Sequence, residues 1–292
     1  MQELKKEIGD EIAANRSKLS ASSLKTYVSI LSNIYKQMDG DGGIGFFSHQ
    51  IKDIIEFLDK KNDQTKKTSL SALYVLTKKD EYRTVMMDIL KAVNIQNKKQ
   101  EKTPTQSENW MSEVEIKKVY DDLLQKATAM LSTKVVFNDK TFIQFLLVAF
   151  LSGSIMPPRR SQDYGELKIR NYDTKTDNYY KGNKFYFNVY KTSSTYGLQI
   201  IDVPKPLNTL LKKWVKLNTT DYMLYSSNKQ KLSSPQISRI LNDAFGRNVS
   251  TNLLRHIFLS TKYANIPALE SIDNLATAMG HSSAQAFEYI KH

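Results

Sequence analysis

The sequence predicts a mainly α-helical protein, with a helical N-terminal domain and an α+β C-terminal domain that contains a small three-stranded antiparallel sheet. Its 292 residues are enough for two domains of ordinary size. Three observations support this fold class. Apolar residues recur at helical spacing over the first hundred residues, and a polar segment with Pro104 follows them. After Leu167, three short runs of aromatic and β-branched residues stand between further helical patterns, as strands of a small sheet do.

The N-terminal domain is predicted over residues 1–95 as a set of amphipathic helices. In Ser20–Met38 the apolar residues lie three or four positions apart, which gives the helix one apolar face. The serines before Leu24 are natural N-cap residues, and the run DGDGG ends the helix. Further helices are predicted for HQIKDIIEFLDKK, TSLSALYVLTKK and YRTVMMDILKAVN.

Residues 96–109 are predicted to form a linker, because they are polar and show no apolar period. A new helix is predicted from Ser112, since Glu115 three residues later completes a capping box. The second domain is predicted over residues 110–292. Its strands are predicted for LKIRNYD, KFYFNVYK and GLQIIDVP, and its later helices for PLNTLLKKWVKLN, SPQISRILNDAFG, TNLLRHIFLSTKYAN and ESIDNLATAMG.

The composition excludes several classes of protein. The chain has no cysteine, and its four histidines are not paired at metal-ligand spacing, so we expect no disulfide, metal or other cofactor. No apolar run approaches the ~20 residues that span a bilayer, so no membrane partner is expected. The net charge of +12, most of it from Met111 onward, favours a polyanionic partner such as nucleic acid. A lysine-rich, merely soluble surface is the alternative.

Five polar side chains suit one kind of chemistry, the transfer of a phosphodiester to a protein hydroxyl. They are Arg160, Lys191, Arg255, His281 and Tyr289. Two arginines can neutralise the extra charge on a five-coordinate phosphorus, since their planar donors stay charged at physiological pH. A hairpin lysine can protonate the leaving 5′-oxygen, and tyrosine can act as the nucleophile. Asp163, one helical turn after Arg160, is expected to hold the guanidinium of that arginine.

These residues resemble, in order and spacing, the tyrosine recombinases, or phage-type integrases, which share a catalytic fold with type IB topoisomerases. That family has an arginine opening a helix, with an acidic residue three positions later and a leucine seven positions later. Arg160, Asp163 and Leu167 fit this pattern. The family's hairpin lysine, often followed by small hydroxyl residues, is matched by Lys191 in KTSS.

The remaining motifs of the family lie nearer the C-terminus. The segment NLLRH from Asn252 matches the His-x-x-Arg motif, with Arg255 as the second arginine, except that Asn252 replaces the histidine. Gly280-His281 and then Tyr289 match the Gly-His pair and the nucleophile eight or nine residues later. The N-terminal helices resemble the family's SAM-like core-binding domain. The sequence pattern PPRR…DY, from Pro157 to Tyr164, resembles that of members from eukaryotic mobile elements and from large DNA viruses or their virophage satellites.

The resemblance implies a site-specific DNA recombinase, or integrase, that cleaves and rejoins strands through a 3′-phosphotyrosyl intermediate. Tyr289 would attack the phosphorus, and Arg160 and Arg255 would bind its non-bridging oxygens. Lys191 would be the general acid, and His281 would hydrogen-bond the phosphate. Asn252 can donate a hydrogen bond but cannot take a proton, so it would only partly replace the missing histidine.

The resemblance also implies double-stranded DNA as the partner and a homo-tetramer acting on two paired duplexes. The protein would be found where its DNA is: the host nucleus or a viral factory for a eukaryotic element or virus, otherwise the cytoplasm or nucleoid. Many members exchange a C-terminal helix between protomers. Only three residues follow Tyr289, so we expect a different assembly, docking of the Tyr289 segment itself, or a trimmed sequence.

Two alternative functions stay open at this stage. One is a type IB topoisomerase that relaxes supercoils as a monomer, and the other is a catalytically impaired DNA-binding relative, which Asn252 favours. Single residues also have plainer interpretations. Arg159 fits a phosphate contact or a surface charge, Asn252 fits the N-cap of the following helix, and His256 fits a buried structural histidine.

Overall fold

The computed structural model describes residues 1–132 and 137–279. It divides the chain into two compact units. Of the described residues, one unit contains Met1–Glu101 and those from Pro267 to Met279, and the other contains those of Lys102–Ile266. The domain limits predicted from the sequence, 1–95 and 110–292, stay a prediction. Among the described residues, no helix is both long and apolar enough to span a bilayer.

The first unit is helical throughout its described residues. Its elements are α1 (Gln2–Asn15), α2 (Ala21–Gln37), a 3-10 turn (Gly43–Gly45), α3 (Phe46–His49), α4 (Ile51–Asp59), α5 (Asp63–Thr77), α6 (Asp80–Lys98) and, late in the chain, α15 (Leu269–Ala278). The side chain of Ser20 caps α2 by accepting a hydrogen bond from the backbone N–H of Ser23 at 3.2 Å. The predicted N-cap of this helix is therefore confirmed.

Apolar side chains from these helices form one core. The fully buried members include Ile8, Ile12, Leu31, Phe47, Leu70 and Tyr82. The hydroxyl of Tyr82 donates to the carbonyl oxygen of Phe47 at 2.7 Å, which satisfies its only buried polar group. Burial raises the pKa of Tyr82 far above its ordinary value. Helix α15 joins this unit through an ion pair between Lys98 and Asp273 at 2.6 Å.

The second unit combines helices with one sheet. Its helices are α7 (Pro104–Asn109), α8 (Glu113–Leu131), α9 (Asp139–Leu151), α10 (Ser161–Gly165), α11 (Ser193–Tyr196), α12 (Lys205–Leu217), α13 (Ser234–Phe245) and α14 (Thr251–Lys262). The capping box predicted for Ser112 and Glu115 is confirmed at the start of α8. Helix α7 occupies part of the segment 96–109 that the sequence predicts to be a linker, and the linker itself stays a prediction.

The sheet is antiparallel with the order β1 (Tyr179–Lys181), β2 (Lys184–Phe187) and β3 (Gln199–Asp202). The mainly α fold class with one small three-stranded antiparallel sheet is thus confirmed. The position predicted for the first strand is wrong, because LKIRNYD makes only single bridges, from Lys168 to Tyr179 and Tyr222. Strand β1 turns into β2 through Gly182 and Asn183, both at positive φ, as a two-residue hairpin requires.

The core of the second unit is built around α9, whose residues from Phe145 to Leu151 are all buried. Trp214 of α12 is fully buried and stacks on Phe142, with ring centroids 4.8 Å apart. Its indole N–H donates to the carbonyl oxygen of Met223 at 2.9 Å. This core supports α10, α13 and α14, the helices whose first turns surround the candidate site.

Gly165, the last residue of α10, allows this helix to pack closely. A Cβ atom at this position would lie 2.7 Å from the carbonyl oxygen of Leu232 and 3.3 Å from Cδ1 of Ile237. We expect Gly165→Ala to lower the free energy of unfolding by about 1–3 kcal/mol, because the backbone would have to move. Urea unfolding followed by circular dichroism measures this change.

Gly9 provides the matched control. It lies in α1, and a Cβ atom there would meet only Cγ2 of Val28, at an ordinary contact distance of 3.7 Å. Gly9→Ala is expected to leave stability unchanged or to raise it by about 0.5–1 kcal/mol, since alanine favours a helix. Equal behaviour of the two variants would contradict the close approach of α10 to Leu232.

Candidate active site

Arg160 stands at the start of α10, directly after the segment Met156–Arg159. Prolines 157 and 158 keep this segment extended, so the helix begins only after them. Arg160 is the N-cap residue of α10, and its side chain is half-buried. Asp163 and Tyr164, one turn later, are buried and anchor the short helix in the core. The arginine is therefore held at the edge of the core with its side chain at a cavity.

Arg255 lies in the second turn of α14. The hydroxyl of Ser250 caps this helix by accepting from the backbone N–H of Leu253 at 3.1 Å. Leu253 and Leu254 are buried on one side of the helix, which leaves Arg255 half-buried on another. The positive end of the helix dipole lies at Ser250, close to where an anion would bind.

Lys191 lies between β2 and β3, as the sequence predicts, in the connection formed by residues 188–198. Its side chain is exposed. The one-turn helix α11 follows it, and the hydroxyl of Tyr190 donates to the carbonyl oxygen of Gly197 at 2.7 Å. This bond closes the connection into a compact loop that contains Lys191.

A cavity of about 530 Å³ brings these elements together. Its lining residues are Arg160, Ser161, Gln162, Lys191, Ser234, Ser238, Ser250, Thr251, Asn252 and Arg255. Four of the six residues predicted from the sequence thus surround one space, although they lie far apart in the chain. Three of them are cations, and no Asp or Glu is among the described residues that line it. Such a space favours an anion with several oxygen atoms.

The two other predicted residues, His281 and Tyr289, lie outside the described residues, as does Gly280. The catalytic roles of all six stay a prediction. Within residues 1–132 and 137–279, no group of three or more histidine or acidic side chains could hold a metal ion.

A second cavity, of about 350 Å³, shares Arg160 and Arg255 with the first. Its further lining includes Arg159, Asp163, Tyr190 and Gln199. The two arginines therefore lie between the two cavities. Lys191 lines the larger cavity, and Asp163, the only carboxylate among the described lining residues of either cavity, lines the smaller one.

The expected pair of Asp163 with Arg160 is wrong. Oδ2 of Asp163 accepts instead from Nε of Arg159 at 2.8 Å. Arg159 reaches this position because its guanidinium lies over the ring of Phe187, with 4.2 Å between the guanidinium carbon and the ring centroid. Arg160 is consequently left at the cavity without this bond.

Burial raises the pKa of Asp163, while Arg159, and after it Arg160 and Arg255, act in the opposite direction. The other carboxylate oxygen, Oδ1, is buried and accepts no hydrogen bond within the described part of the chain. Asp163 therefore places one negative charge close to three arginines.

Three plainer interpretations of single residues are also wrong. Asn252 is not the N-cap of α14, because Ser250 takes that place two residues earlier. His256 is exposed rather than buried. The Arg159 side chain is 15% exposed and ion-paired, so it is not a surface charge, while the alternative of a phosphate contact stays a prediction. Asn252 is exposed in the first turn of α14 and lines the larger cavity, where its amide can donate to a bound anion.

The sequence did not single out Gln199 or Asn178, both of which connect parts of the site. Gln199 accepts a hydrogen bond from Arg159, and buried Asn178 bonds both to the carbonyl oxygen of Asp163 and to the backbone of Val189. Neither residue stands in a motif, and no local pattern in the sequence identifies their partners.

Several solved structures are similar to this chain, among them three of recombinases or integrases. The crystal structure of XerA recombinase is 14% identical in sequence and has a TM-score of 0.36. The match covers 98% of this chain and 94% of the XerA chain. A lambda integrase dimer bound to a COC′ core site is 14% identical, with coverages of 94% and 93% and a TM-score of 0.49. The Tn1549 transposon integrase in complex with a circular intermediate DNA is 10% identical, with coverages of 98% and 94% and a TM-score of 0.48.

The chain is similar to recombinases and integrases. All three TM-scores are below 0.5, so these likenesses assign no residue role and no partner. No protein-family model matches the chain, and no curated protein matches it. The functional conclusion therefore depends on the geometry of the site and on the order of its residues.

Proposed function

We propose that this chain is a tyrosine recombinase that cleaves and rejoins DNA strands through a 3′-phosphotyrosyl intermediate. One observation carries the proposal: Arg160, Lys191 and Arg255 line one cavity together with Asn252. Two guanidinium groups beside one ammonium group suit a phosphodiester whose negative charge increases as phosphorus becomes five-coordinate. The net charge of +12 supports double-stranded DNA as the partner.

The reaction requires one bond to form at phosphorus as another breaks. The phenol oxygen of Tyr289 attacks the phosphorus, and the bond from phosphorus to the 5′-oxygen breaks. Arg160 and Arg255 donate to the non-bridging oxygens, and Lys191 gives a proton to the leaving 5′-oxygen. The phenol proton passes to solvent, and the three cations favour the phenolate.

Rejoining is the reverse reaction with a different strand. The 5′-hydroxyl of that strand attacks the phosphotyrosyl phosphorus, and Lys191 takes its proton. The bond from phosphorus to the Tyr289 oxygen breaks, and the phenolate regains a proton from solvent. One phosphodiester is exchanged for another, so the step needs no ATP. His281 and Asn252 donate further hydrogen bonds to the phosphate. In this proposal, four protomers act together on two paired duplexes. The protein is found in the cell where its target DNA lies.

A covalent-trapping experiment tests this function and identifies the target sequence in the same step. The full chain is incubated with a pool of nicked duplexes that carry a randomised core, in which cleavage releases a short 5′-hydroxyl strand and leaves the adduct trapped. Adducts that survive SDS are isolated, their DNA is sequenced, and the attached peptide is identified by mass spectrometry. We expect one enriched sequence, attached through its 3′-phosphate to Tyr289.

Tyr289→Phe is the control, since it lacks only the attacking oxygen. It is expected to form no adduct and to bind the enriched duplex with nearly unchanged affinity. An adduct on another residue, or none from the wild type with any sequence, would contradict the proposal. Relaxation of supercoiled plasmid by the monomer, with no joined recombinant products, would instead indicate a topoisomerase.

A further inference from the structure

Arg159 precedes Arg160 in the chain, but its contacts differ from those of a phosphate ligand. Its Nε donates to Oδ2 of Asp163 at 2.8 Å, and Nη1 donates to Oε1 of Gln199 at 2.6 Å. Two of its three nitrogens thus already donate to protein acceptors. The Arg159 side chain is only 15% exposed. Charge-assisted hydrogen bonds from such a side chain hold its guanidinium in one orientation.

Arg159 also contacts both sides of the hairpin that carries Lys191. Phe187 is the last residue of β2, and Gln199 is the first residue of β3 and its partner in register. The guanidinium carbon of Arg159 lies 4.2 Å from the ring centroid of Phe187 and 5.0 Å from that of Tyr190. Tyr190 directly precedes Lys191. Arg159 is therefore in contact with the two ends of the loop in which Lys191 lies.

The Lys191 loop, residues 188–198, has a further connection to α10. Nδ2 of Asn178 donates to the carbonyl oxygens of Asp163 and Val189, at 3.2 Å and 2.7 Å. Oδ1 of Asn178 accepts from the backbone N–H of Val189 at 2.8 Å. These bonds fix the backbone where the loop leaves β2. They do not reach the other end of the loop, where Gln199 pairs with Phe187 in the sheet and its side chain accepts from Arg159.

We propose that Arg159 is a positioning residue, which fixes the Lys191 loop relative to the Arg160–Arg255 pair. This inference rests on the proposed function, in which Lys191 is the general acid. A general acid must lie within hydrogen-bonding distance of the leaving oxygen, and a displacement of about 1 Å can lower a rate ~100-fold. Lys191 itself is exposed, so its position depends on how the loop backbone is held. Arg159 adds contacts with Phe187, Tyr190 and Gln199 to the bonds of Asn178 and of Tyr190.

The test uses Arg159→Lys and Gln199→Leu in the full chain. Lysine keeps the charge but cannot bond Asp163 and Gln199 with a planar fork, and leucine removes the hydrogen bond from the hairpin side alone. Arg239→Lys is the matched control, because Arg239 is an exposed arginine of the same unit that lines a different cavity. The cleavage rate of each variant is measured on two forms of the enriched duplex. One has an ordinary scissile phosphodiester, and the other has a sulfur atom in place of the bridging 5′-oxygen.

The sulfur substrate distinguishes positioning of the acid from contact with the phosphate. A thiol is far more acidic than an alcohol, so a 5′-thiolate leaves without a proton from Lys191. We expect Arg159→Lys and Gln199→Leu to slow cleavage of the oxygen substrate about 10- to 100-fold. Cleavage of the sulfur substrate should stay within a few-fold of the wild type, as for Lys191→Ala. Equal slowing on both substrates, or no slowing on either, would overturn the proposal.

Hydrogen exchange of the free protein gives a second readout that requires no DNA. Arg159→Lys should speed exchange of the amides of residues 188–198 by about tenfold or more, since each tenfold corresponds to about 1.4 kcal/mol of lost local stability. Exchange in α9 should not change. Unchanged exchange in the loop would show that Arg159 does not hold it. Failure of the proposed function is distinct, since it would appear as a wild type that forms no adduct.

Discussion

Arg255→Ala and Arg160→Ala are each expected to slow formation of the covalent adduct about 10²- to 10³-fold, or about 2.7–4 kcal/mol. Both arginines line the two cavities of the candidate site, and each would bind an oxygen whose charge grows in the transition state. Single-turnover cleavage of the enriched duplex measures the rate. Because the two residues act on one phosphate, the double variant should lose less than the product of the two single effects.

Charge alone should not restore the rate. Arg255→Lys keeps one positive charge but loses the paired planar donors, so we expect it to remain far slower than the wild type. Arg239→Ala, at an exposed arginine outside both cavities, controls for a general loss of DNA affinity. A fall in rate equal to that of Arg239→Ala would show that Arg160 and Arg255 do not contact the scissile phosphate.

Trp214→Ala is expected to lower the free energy of unfolding of the second unit by about 3–5 kcal/mol. The indole is fully buried and stacks with Phe137, Phe142 and Tyr225. Alanine would leave a cavity at the centre of this stack. It would also leave the carbonyl oxygen of Met223 without the hydrogen bond that the indole N–H donates.

The fluorescence of Trp110, which belongs to the same unit, follows urea unfolding in this variant. Trp214→Phe is the matched control. It keeps an aromatic ring in the stack and loses the N–H donor, so its cost should be clearly smaller. A loss below about 1 kcal/mol for alanine would contradict the central position of Trp214.

Helix starts could be predicted from the sequence because capping is local. Ser20 and the pair Ser112–Glu115 satisfy backbone N–H groups within three residues of themselves, so the pattern contains the whole interaction. Two of the three strands could be predicted in place, since KFYFNVYK contains β2 and GLQIIDVP contains β3. LKIRNYD has a strand-like pattern, but strand pairing depends on partners far along the chain, and within this run only Lys168 forms β-bridges, each of them isolated. The Gly182-Asn183 turn was the local signal for β1.

Four of the ten residues that line the larger cavity could be predicted, because the order and spacing of Arg160, Lys191 and Arg255 resemble those of a known family and Asn252 lies in the motif of Arg255. The partner of Asp163 could not. Spacing of three and of four residues both suit a helical pair, and the choice of Arg159 follows from the rings of Phe187 and Tyr190, which receive its guanidinium. That information lies in the packed sheet and is absent from the motif.

Helix α15 follows the whole second unit in sequence, yet it belongs to the compact unit that begins at Met1. The backbone N–H of Leu269 donates to the side chain of Gln100, and Lys98 pairs with Asp273. A truncated chain starting at Lys102 would therefore contain α15 without the surface on which it packs. A fragment limited to Lys102–Ile266 would contain the second compact unit without α15.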